Sequence, residues 1–123
     1  MRALVVDDSR VSRRILSRIL GNLGFEVVEA DNGLEGLARL KEMDRAAQVV
    51  MVDWNMPVMN GIDFVRTVRA EPTYAKLNIV VITTNNELQD VVVALEAGAD
   101  EYIMKPFTQD IVQGKLALLG LFS

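Results

Sequence analysis

The chain has 123 residues, with 13 lysine and arginine side chains against 17 aspartate and glutamate side chains, for a formal net charge of -4. This length and an apolar share of 50% predict one folded domain over residues 1–123 and argue against disorder. The acidic balance disfavours direct nucleic-acid binding, and no apolar run approaches the roughly 18 residues of a membrane span. Cysteine and histidine are absent, which excludes disulfides, thiol chemistry and an internal histidine base. We expect a cytoplasmic protein, with which the lack of cysteine is compatible.

Short apolar runs alternate with longer segments of helical spacing along the whole chain. The runs predict strands at 3–6, 25–29, 49–52, 78–83 and 101–104. They are almost continuously apolar or rich in valine and isoleucine, as is typical of parallel strands covered on both faces. Strands that alternate with helices in this way predict an α/β fold of the (βα)₅ type, with a five-stranded parallel sheet and helices on both faces.

The segments between the strands carry apolar residues at i, i+3 and i+4, which predicts five helices. Ser9 and Asn32 are suitable N-caps for the first two helices. Gly24 and Gly98 come just after helical segments, where a left-handed backbone is favoured. The second helix is predicted over 32–43, but the polar stretch that follows it has no clear stop signal. Loops are expected at Asn60-Gly61 and at Glu71-Pro72.

Polar residues stand at the predicted carboxyl ends of the strands, which is where open parallel α/β sheets bind ligands. They are Asp7 and Asp8 after the first strand, Asp53 after the third, Thr83 and Thr84 at the end of the fourth, and Lys105 after the fifth. Glu29 ends the second strand and is a weaker candidate, because that strand is expected at the sheet edge.

Asp7, Asp8 and Asp53, here called the acidic cluster, are expected to lie close together. Two like charges about 4 Å apart repel by roughly 4 kcal/mol at an effective dielectric constant near 20. Either a bound cation or a raised pKa relieves this repulsion. A hard cation such as Mg²⁺ suits a site with oxygen ligands only. The alternative for Asp7 and Asp8 is a purely structural role as N-caps of the first helix.

Lys105 and Thr83 are expected at the same rim as the acidic cluster. A lysine supplies a point positive charge and a threonine supplies a hydroxyl donor, and both suit the oxygens of a phosphoryl group. Together with the acidic cluster they indicate a site for phosphoryl transfer. The alternative is a solvated loop lysine, which the following Pro106 makes less attractive because a cis Lys-Pro bond would fix the direction of the side chain.

These motifs resemble bacterial two-component receiver domains, and most closely the single-domain chemotaxis response regulators. The resemblance covers the whole chain and is carried by Val6-Asp7-Asp8-Ser9, Arg13-Arg14, Asp53-Trp54-Asn55-Met56-Pro57 with Gly61, Thr83, and Tyr102 with Lys105-Pro106-Phe107. The spacing also agrees, since Thr83 lies 30 residues after Asp53 and Lys105 lies 22 residues after Thr83. The resemblance implies a flavodoxin-like fold with strand order 2-1-3-4-5.

The resemblance implies that Asp53 is the phosphoacceptor. It also implies a Mg²⁺ site, in which Mn²⁺ can substitute. Asp8 would bind the ion directly, Asp7 largely through water, and Asn55 through its backbone carbonyl.

The family also implies a switch. Lys105 and Thr83 would contact the phosphoryl group, and Thr83 would move toward it while the ring of Tyr102 turns inward. The resemblance also implies that Asn55, Thr84 and Asn85 occupy positions that tune hydrolysis. Thr84 departs from the family, where alanine or glycine is usual, and a β-branched side chain there would slow the reaction with a donor.

The function implied is a phosphorylation-activated signalling switch, which is not a metabolic enzyme but catalyses its own aspartyl phosphorylation and dephosphorylation. The donor would be a histidine kinase, a phosphotransfer protein or a small phosphodonor. An output protein would dock on the fourth helix, fifth strand and fifth helix, where Val93, Met104 and Tyr102 form a patch or are merely scattered surface residues. We expect a monomer or a weak phosphorylation-dependent dimer.

Three other functions fit the sequence less well. A phosphatase with an aspartyl nucleophile needs a second aspartate two residues later as general acid, and Asn55 stands there. A constitutive interaction module would not need the acidic cluster and Lys105. Nucleotide binding is poorly supported, because neither a G-x-G-x-x-G nor a P-loop motif occurs.

Trp54 is interpreted as a half-exposed residue beside the site.

Overall fold

Strands and helices alternate along the part of the chain that the computed structural model describes, residues 1–122. The strands are β1 (Arg2–Val6), β2 (Glu26–Ala30), β3 (Ala47–Asp53), β4 (Asn78–Thr83) and β5 (Glu101–Met104). The helices are α1 (Arg10–Asn22), α2 (Gly33–Met43), α3 (Gly61–Arg69), α4 (Leu88–Ala97) and α5 (Gln109–Leu118), with a short 3₁₀ helix at Pro72–Tyr74. The predicted (βα)₅ order is confirmed.

The strands form one parallel sheet in the order β2-β1-β3-β4-β5, as the resemblance implied. Successive strand residues point to opposite faces, so each face receives its own apolar layer. One face packs against α2, α3 and α4 through Leu4, Val6, Val50, Val52, Ile79 and Val81. The other packs against α1 and α5 through Ala3, Val5, Val49, Met51, Val80 and Ile82. Burial on both faces explains why the strands read as continuous apolar runs.

Helix ends follow the local signals in the sequence. The side chains of Ser9 and Asn32 accept hydrogen bonds from backbone amides of α1 and α2, and Gly98 ends α4 in the left-handed region at φ 119°. The end of α2, which had no clear signal, is at Asp44 with φ 54°. With ψ -118° this residue leaves the helical region, and its amide donates to the carbonyl of Lys41, which closes the helix.

The boundaries of three strands differ from the prediction, and β1 begins one residue earlier than expected, at Arg2. β2 is shifted by one residue toward the C-terminus, and β3 begins at residue 47 and includes Asp53 as its last residue. The loop expected at Glu71-Pro72 contains the 3₁₀ helix, with Pro72 at its first position, where a proline is well tolerated. Among residues 1–122, no helix combines the length and the apolar character needed to cross a membrane.

Candidate functional site

The acidic cluster forms at the carboxyl edge of the sheet. β1 and β3 are neighbouring parallel strands with Val6 paired to Val52, so the residues that follow, Asp7 and Asp53, lie side by side. Carboxylate oxygens of Asp7, Asp8 and Asp53 all lie within 4.8 Å of one another. Asp7 is 3% exposed and Asp53 is 6% exposed, whereas Asp8 is open to solvent. The cluster therefore has a buried floor and an accessible side.

Ser9, and not the acidic pair, caps α1. Its hydroxyl accepts a hydrogen bond of 3.3 Å from the amide of Ser12. Asp7 instead uses Oδ1 to accept a 2.9 Å hydrogen bond from the Ser9 amide, which leaves Oδ2 directed to the cluster. The structural alternative, in which Asp7 and Asp8 cap the helix, is wrong.

Lys105 is the cation of the site and not a solvated loop residue. Its Nζ lies 3.1 Å from Asp7 Oδ2 and 3.3 Å from Asp53 Oδ1. Its backbone amide donates a 2.8 Å hydrogen bond to the carbonyl of Thr83, so the ends of β4 and β5 are joined next to the cluster. The Lys105–Pro106 peptide bond is cis.

The electrostatics of the cluster are set by burial and by like charges. Burial, followed by the neighbouring charge of Asp7, raises the pKa of the Asp53 carboxyl from 3.8 to about 6, although Lys105 opposes the change. Burial by itself would lower the pKa of Lys105, but the carboxylates of Asp53 and Asp7 outweigh it and raise that pKa. At neutral pH the site thus combines an ionised, poorly solvated carboxylate with a firmly protonated lysine.

The donor set fits a hard divalent cation. Three carboxylates face one ammonium, which leaves a surplus of negative charge, and the available ligand atoms are oxygens because the chain has no histidine or cysteine. Oxygen donors with an open side for water match the coordination that Mg²⁺ prefers. Asn55 is exposed two residues after Asp53, and Thr84 is exposed at the end of β4.

Thr83 and Tyr102 are linked through Asn85. Thr83 is completely buried, and its Oγ1 accepts a 3.0 Å hydrogen bond from the Asn85 amide. The hydroxyl of Tyr102 donates to the Asn85 carbonyl, and burial raises the pKa of this phenol, so the hydroxyl stays protonated. Thr83 follows Ile82, the β4 partner of Asp53. A continuous set of contacts therefore runs from the edge of the cluster to β5.

The α4–β5–α5 surface carries exposed apolar side chains. They are Leu88, Val92, Val93 and Leu95 of α4, Met104 of β5, and Ile111 and Leu118 of α5. Tyr102 was predicted to share this patch with Val93 and Met104, but its ring is buried, because it lies on the face of β5 that packs on the core. Trp54 is half-exposed, as predicted.

The loop between β3 and α3 contains features that the sequence motifs did not explain. Val58 has φ 72°, and the amide of Met59 donates a 2.8 Å hydrogen bond to the carbonyl of Pro57 around it, which makes a γ-turn. Gly61 is required for space: a Cβ at this position would overlap the carbonyl oxygen of Asp53. The glycine of the motif thus lets α3 begin against the end of β3.

One contact to the acidic cluster was missed from the sequence. Arg13 was noted only as part of the resemblance, yet its guanidinium contacts both the backbone carbonyl of Asp7 and the carboxylate of Glu29. The sequence did contain a signal for this contact. Arg13 lies one helical turn after the N-cap Ser9, and Glu29 stands at the end of a predicted strand.

Comparison with known proteins agrees with this geometry. Residues 3–117 match the family described as response regulator receiver domain. The chain belongs to this receiver family. The chemotaxis protein CheY1 of Helicobacter pylori is 42% identical over 120 residues, which cover 97% of this chain and 96% of that protein.

Solved receiver structures resemble the whole fold. Chemotaxis protein CheY4 of Vibrio cholerae has a TM-score of 0.89 at 32% identity, with 96% of this chain and 97% of that chain covered. A CheY of Borrelia burgdorferi, solved in a complex with CheX, BeF₃ and Mg²⁺, has a TM-score of 0.88 at 25% identity over 96% of this chain and 88% of that chain. Receiver domains of this type are phosphorylated on an aspartate in two-component signalling and bind Mg²⁺ in an acidic cluster.

Proposed function

We propose that Asp53 is the aspartate of this receiver that accepts the phosphoryl group. The observation that carries the proposal is its position: a carboxylate at the end of β3, grouped with Asp7 and Asp8 within 4.8 Å and 3.3 Å from the Lys105 ammonium. A pKa of about 6 keeps this carboxylate mostly ionised at neutral pH, while its burial leaves it poorly solvated. Both properties suit a nucleophile.

The transfer needs a donor outside the chain, because the sequence contains no histidine. An oxygen of Asp53 forms a bond to phosphorus while the bond from phosphorus to the donor breaks. The donor atom is the imidazole nitrogen of a kinase or phosphotransfer protein, or the acyl oxygen of acetyl phosphate. The product is an acyl phosphate on Asp53, which water later hydrolyses. Lys105 and Thr83 supply donors for the phosphoryl oxygens.

The acidic cluster would hold Mg²⁺, or Mn²⁺ in its place. Asp7, Asp8 and Asp53 would supply carboxylate oxygens, and Asn55 would supply its backbone carbonyl. When bound, a divalent cation offsets the negative charge of the carboxylates and of the phosphoryl group that approaches them. Asn55, Thr84 and Asn85 would tune the rate of hydrolysis, because each lies within two residues of Asp53 or Thr83 in the chain, and Asn55 and Thr84 are exposed.

Output would pass from the site to the α4–β5–α5 surface. The supporting observation is the path from Thr83 through Asn85 to Tyr102, because β5 carries both Tyr102 and the exposed Met104. A change in the Thr83 contacts on phosphorylation would alter this surface and its affinity for an output protein. The proposal includes a cytoplasmic location and a receiver unit that is a monomer or dimerises weakly when phosphorylated.

The acceptor assignment is tested by incubation with acetyl phosphate and Mg²⁺, followed by mass spectrometry of the intact protein and its peptides. We expect one phosphoryl group on the wild type, none on Asp53→Asn, and none in EDTA. The matched control is Asp44→Asn, an exposed aspartate between α2 and β3 that receives the same chemical change. Equal labelling of Asp53→Asn and the control would place the acceptor elsewhere.

A further inference from the structure

Arg13 lies on α1, and its guanidinium donates to two different acceptors. Its side chain is only 14% exposed. Nε donates a 2.9 Å hydrogen bond to Glu29 Oε1, and Nη1 donates a 2.8 Å hydrogen bond to the backbone carbonyl of Asp7. The N-terminal part of a helix is unfavourable for a cation because of the helix dipole. These two contacts offset that disadvantage.

The contacts of Arg13 close a ring around the backbone of Asp7. The amide of Asp7 donates a 3.1 Å hydrogen bond to the carbonyl of Ala30, the residue after Glu29. The carbonyl of Asp7 accepts from Arg13, and Arg13 in turn contacts Glu29. Both backbone polar groups of Asp7 are therefore fixed, one by the end of β2 and the other by α1.

The carbonyl that Arg13 holds belongs to the peptide group between Asp7 and Asp8. The orientation of this peptide group determines the direction in which the Asp8 side chain leaves the backbone. Asp8 is exposed and needs such an anchor, because none of the hydrogen bonds or ion pairs found in residues 1–122 involves its side chain. Asp7, in contrast, is also held through its own side chain by Ser9 and Lys105.

We propose that Arg13, oriented by Glu29, is a positioning residue that holds the Asp7-Asp8 peptide in the orientation required for cation binding. This inference rests on the proposed Mg²⁺ site. It is specific to arginine, because two N–H groups at a fixed angle serve two acceptors, whereas a lysine ammonium is a single point charge on a flexible stem. Residues that orient metal ligands in this way affect metal affinity by about 10–100-fold.

The sign of the effect separates positioning from simple electrostatics. Removing a positive charge near a cation site reduces repulsion and should tighten Mg²⁺ binding. Loss of positioning should weaken it. Arg14 is a matched control, since it is the next residue of α1, is 63% exposed on its side chain and lies 3.8 Å from the same Glu29 carboxylate. It makes no hydrogen bond to the Asp7-Asp8 peptide among the contacts of residues 1–122.

The experiment measures Mg²⁺ affinity by calorimetry and by the fluorescence of Trp54, the one tryptophan of the chain, which adjoins Asp53. We expect Arg13→Ala and Arg13→Lys to weaken binding at least about 10-fold. Arg14→Ala should leave the affinity unchanged or slightly improved. Glu29→Gln keeps an acceptor for Arg13, and its Kd for Mg²⁺ should stay within about 3-fold of wild type. Glu29→Ala should weaken binding more than Glu29→Gln but less than Arg13→Ala.

Thermal melts in EDTA accompany each titration, so that a loss of folding is seen separately from a loss of affinity. If Arg13→Ala does not fold, Arg13→Lys and Glu29→Ala carry the test. An unchanged Kd in folded Arg13 variants, with a lower melting temperature only, would overturn the positioning role. If the wild type itself does not bind Mg²⁺, the proposed metal site is wrong. If the wild type binds Mg²⁺ and an Arg13 variant binds it equally well, the metal site stands and only the positioning role is wrong.

Discussion

Replacing Asp53 with asparagine is expected to stabilise the metal-free protein. The Asp53 carboxyl is 6% exposed, and burial together with the charge of Asp7 raises its pKa from 3.8 to about 6. This difference corresponds to about 3 kcal/mol by which ionisation of the buried group destabilises the native state above pH 6. Asparagine has nearly the same shape and no charge. We expect a gain of about 1–3 kcal/mol, the lower figure applying if the amide replaces the Lys105 contact poorly.

The gain should depend on pH in a defined direction. Because the folded pKa of Asp53 lies above the unfolded value of 3.8, the native state binds more protons between the two, and this group makes wild-type stability fall as the pH rises from about 4 to about 6. The mutant lacks this loss. The difference between the two proteins should therefore be small below pH 4 and complete above pH 6.

Urea and thermal unfolding in EDTA at pH 4, 5 and 7.5 would measure the difference. Asp8→Asn is the control within the acidic cluster, and its gain should be smaller because Asp8 is exposed. Mg²⁺ at ten times its Kd should stabilise wild type by about 1.4 kcal/mol, or roughly 4–8 °C, and either asparagine variant should show a smaller shift. An Asp53→Asn protein no more stable than wild type at pH 7.5, or a gain independent of pH, would refute the reasoning. Most substitutions destabilise by about 1 kcal/mol, so a gain is informative.

Three further predictions concern the switch and the backbone around the site. Thr83→Ala should still accept phosphate from acetyl phosphate, but hydrogen exchange of the α4–β5–α5 surface should no longer respond, because a ligand shifts conformation only through a contact made in one state. Gly61→Ala should cost about 2 kcal/mol or more in urea unfolding, since its Cβ would overlap the Asp53 carbonyl, whereas Gly21→Ala, with open space around it, should be neutral or stabilising. Val58→Asn should raise stability by about 1 kcal/mol, because Val58 is 80% exposed and its φ of 72° is unfavourable for a β-branched residue; an unchanged urea midpoint would mean that the turn is not strained.

The sequence by itself was enough for the alternation of strands and helices and for the set of groups at the carboxyl edge. Continuous apolar runs and helical periodicity are local signals, and parallel strands bring their carboxyl ends to one edge whatever the details of packing. Asp7, Asp53 and Lys105 could therefore be grouped before any distance was known. The strand order was implied only by the family resemblance.

Tertiary structure decided the features that depend on distances between separate elements. The pKa of Asp53 depends on how deeply the end of β3 is buried and on its distance from Asp7. The inward position of Tyr102 depends on which face of β5 meets the core. The contact of Arg13 with Glu29 joins residues 16 positions apart through the packing of α1 against the sheet. Periodicity shows which residues are buried, but it does not encode these distances, because they arise only when the helices and strands pack together.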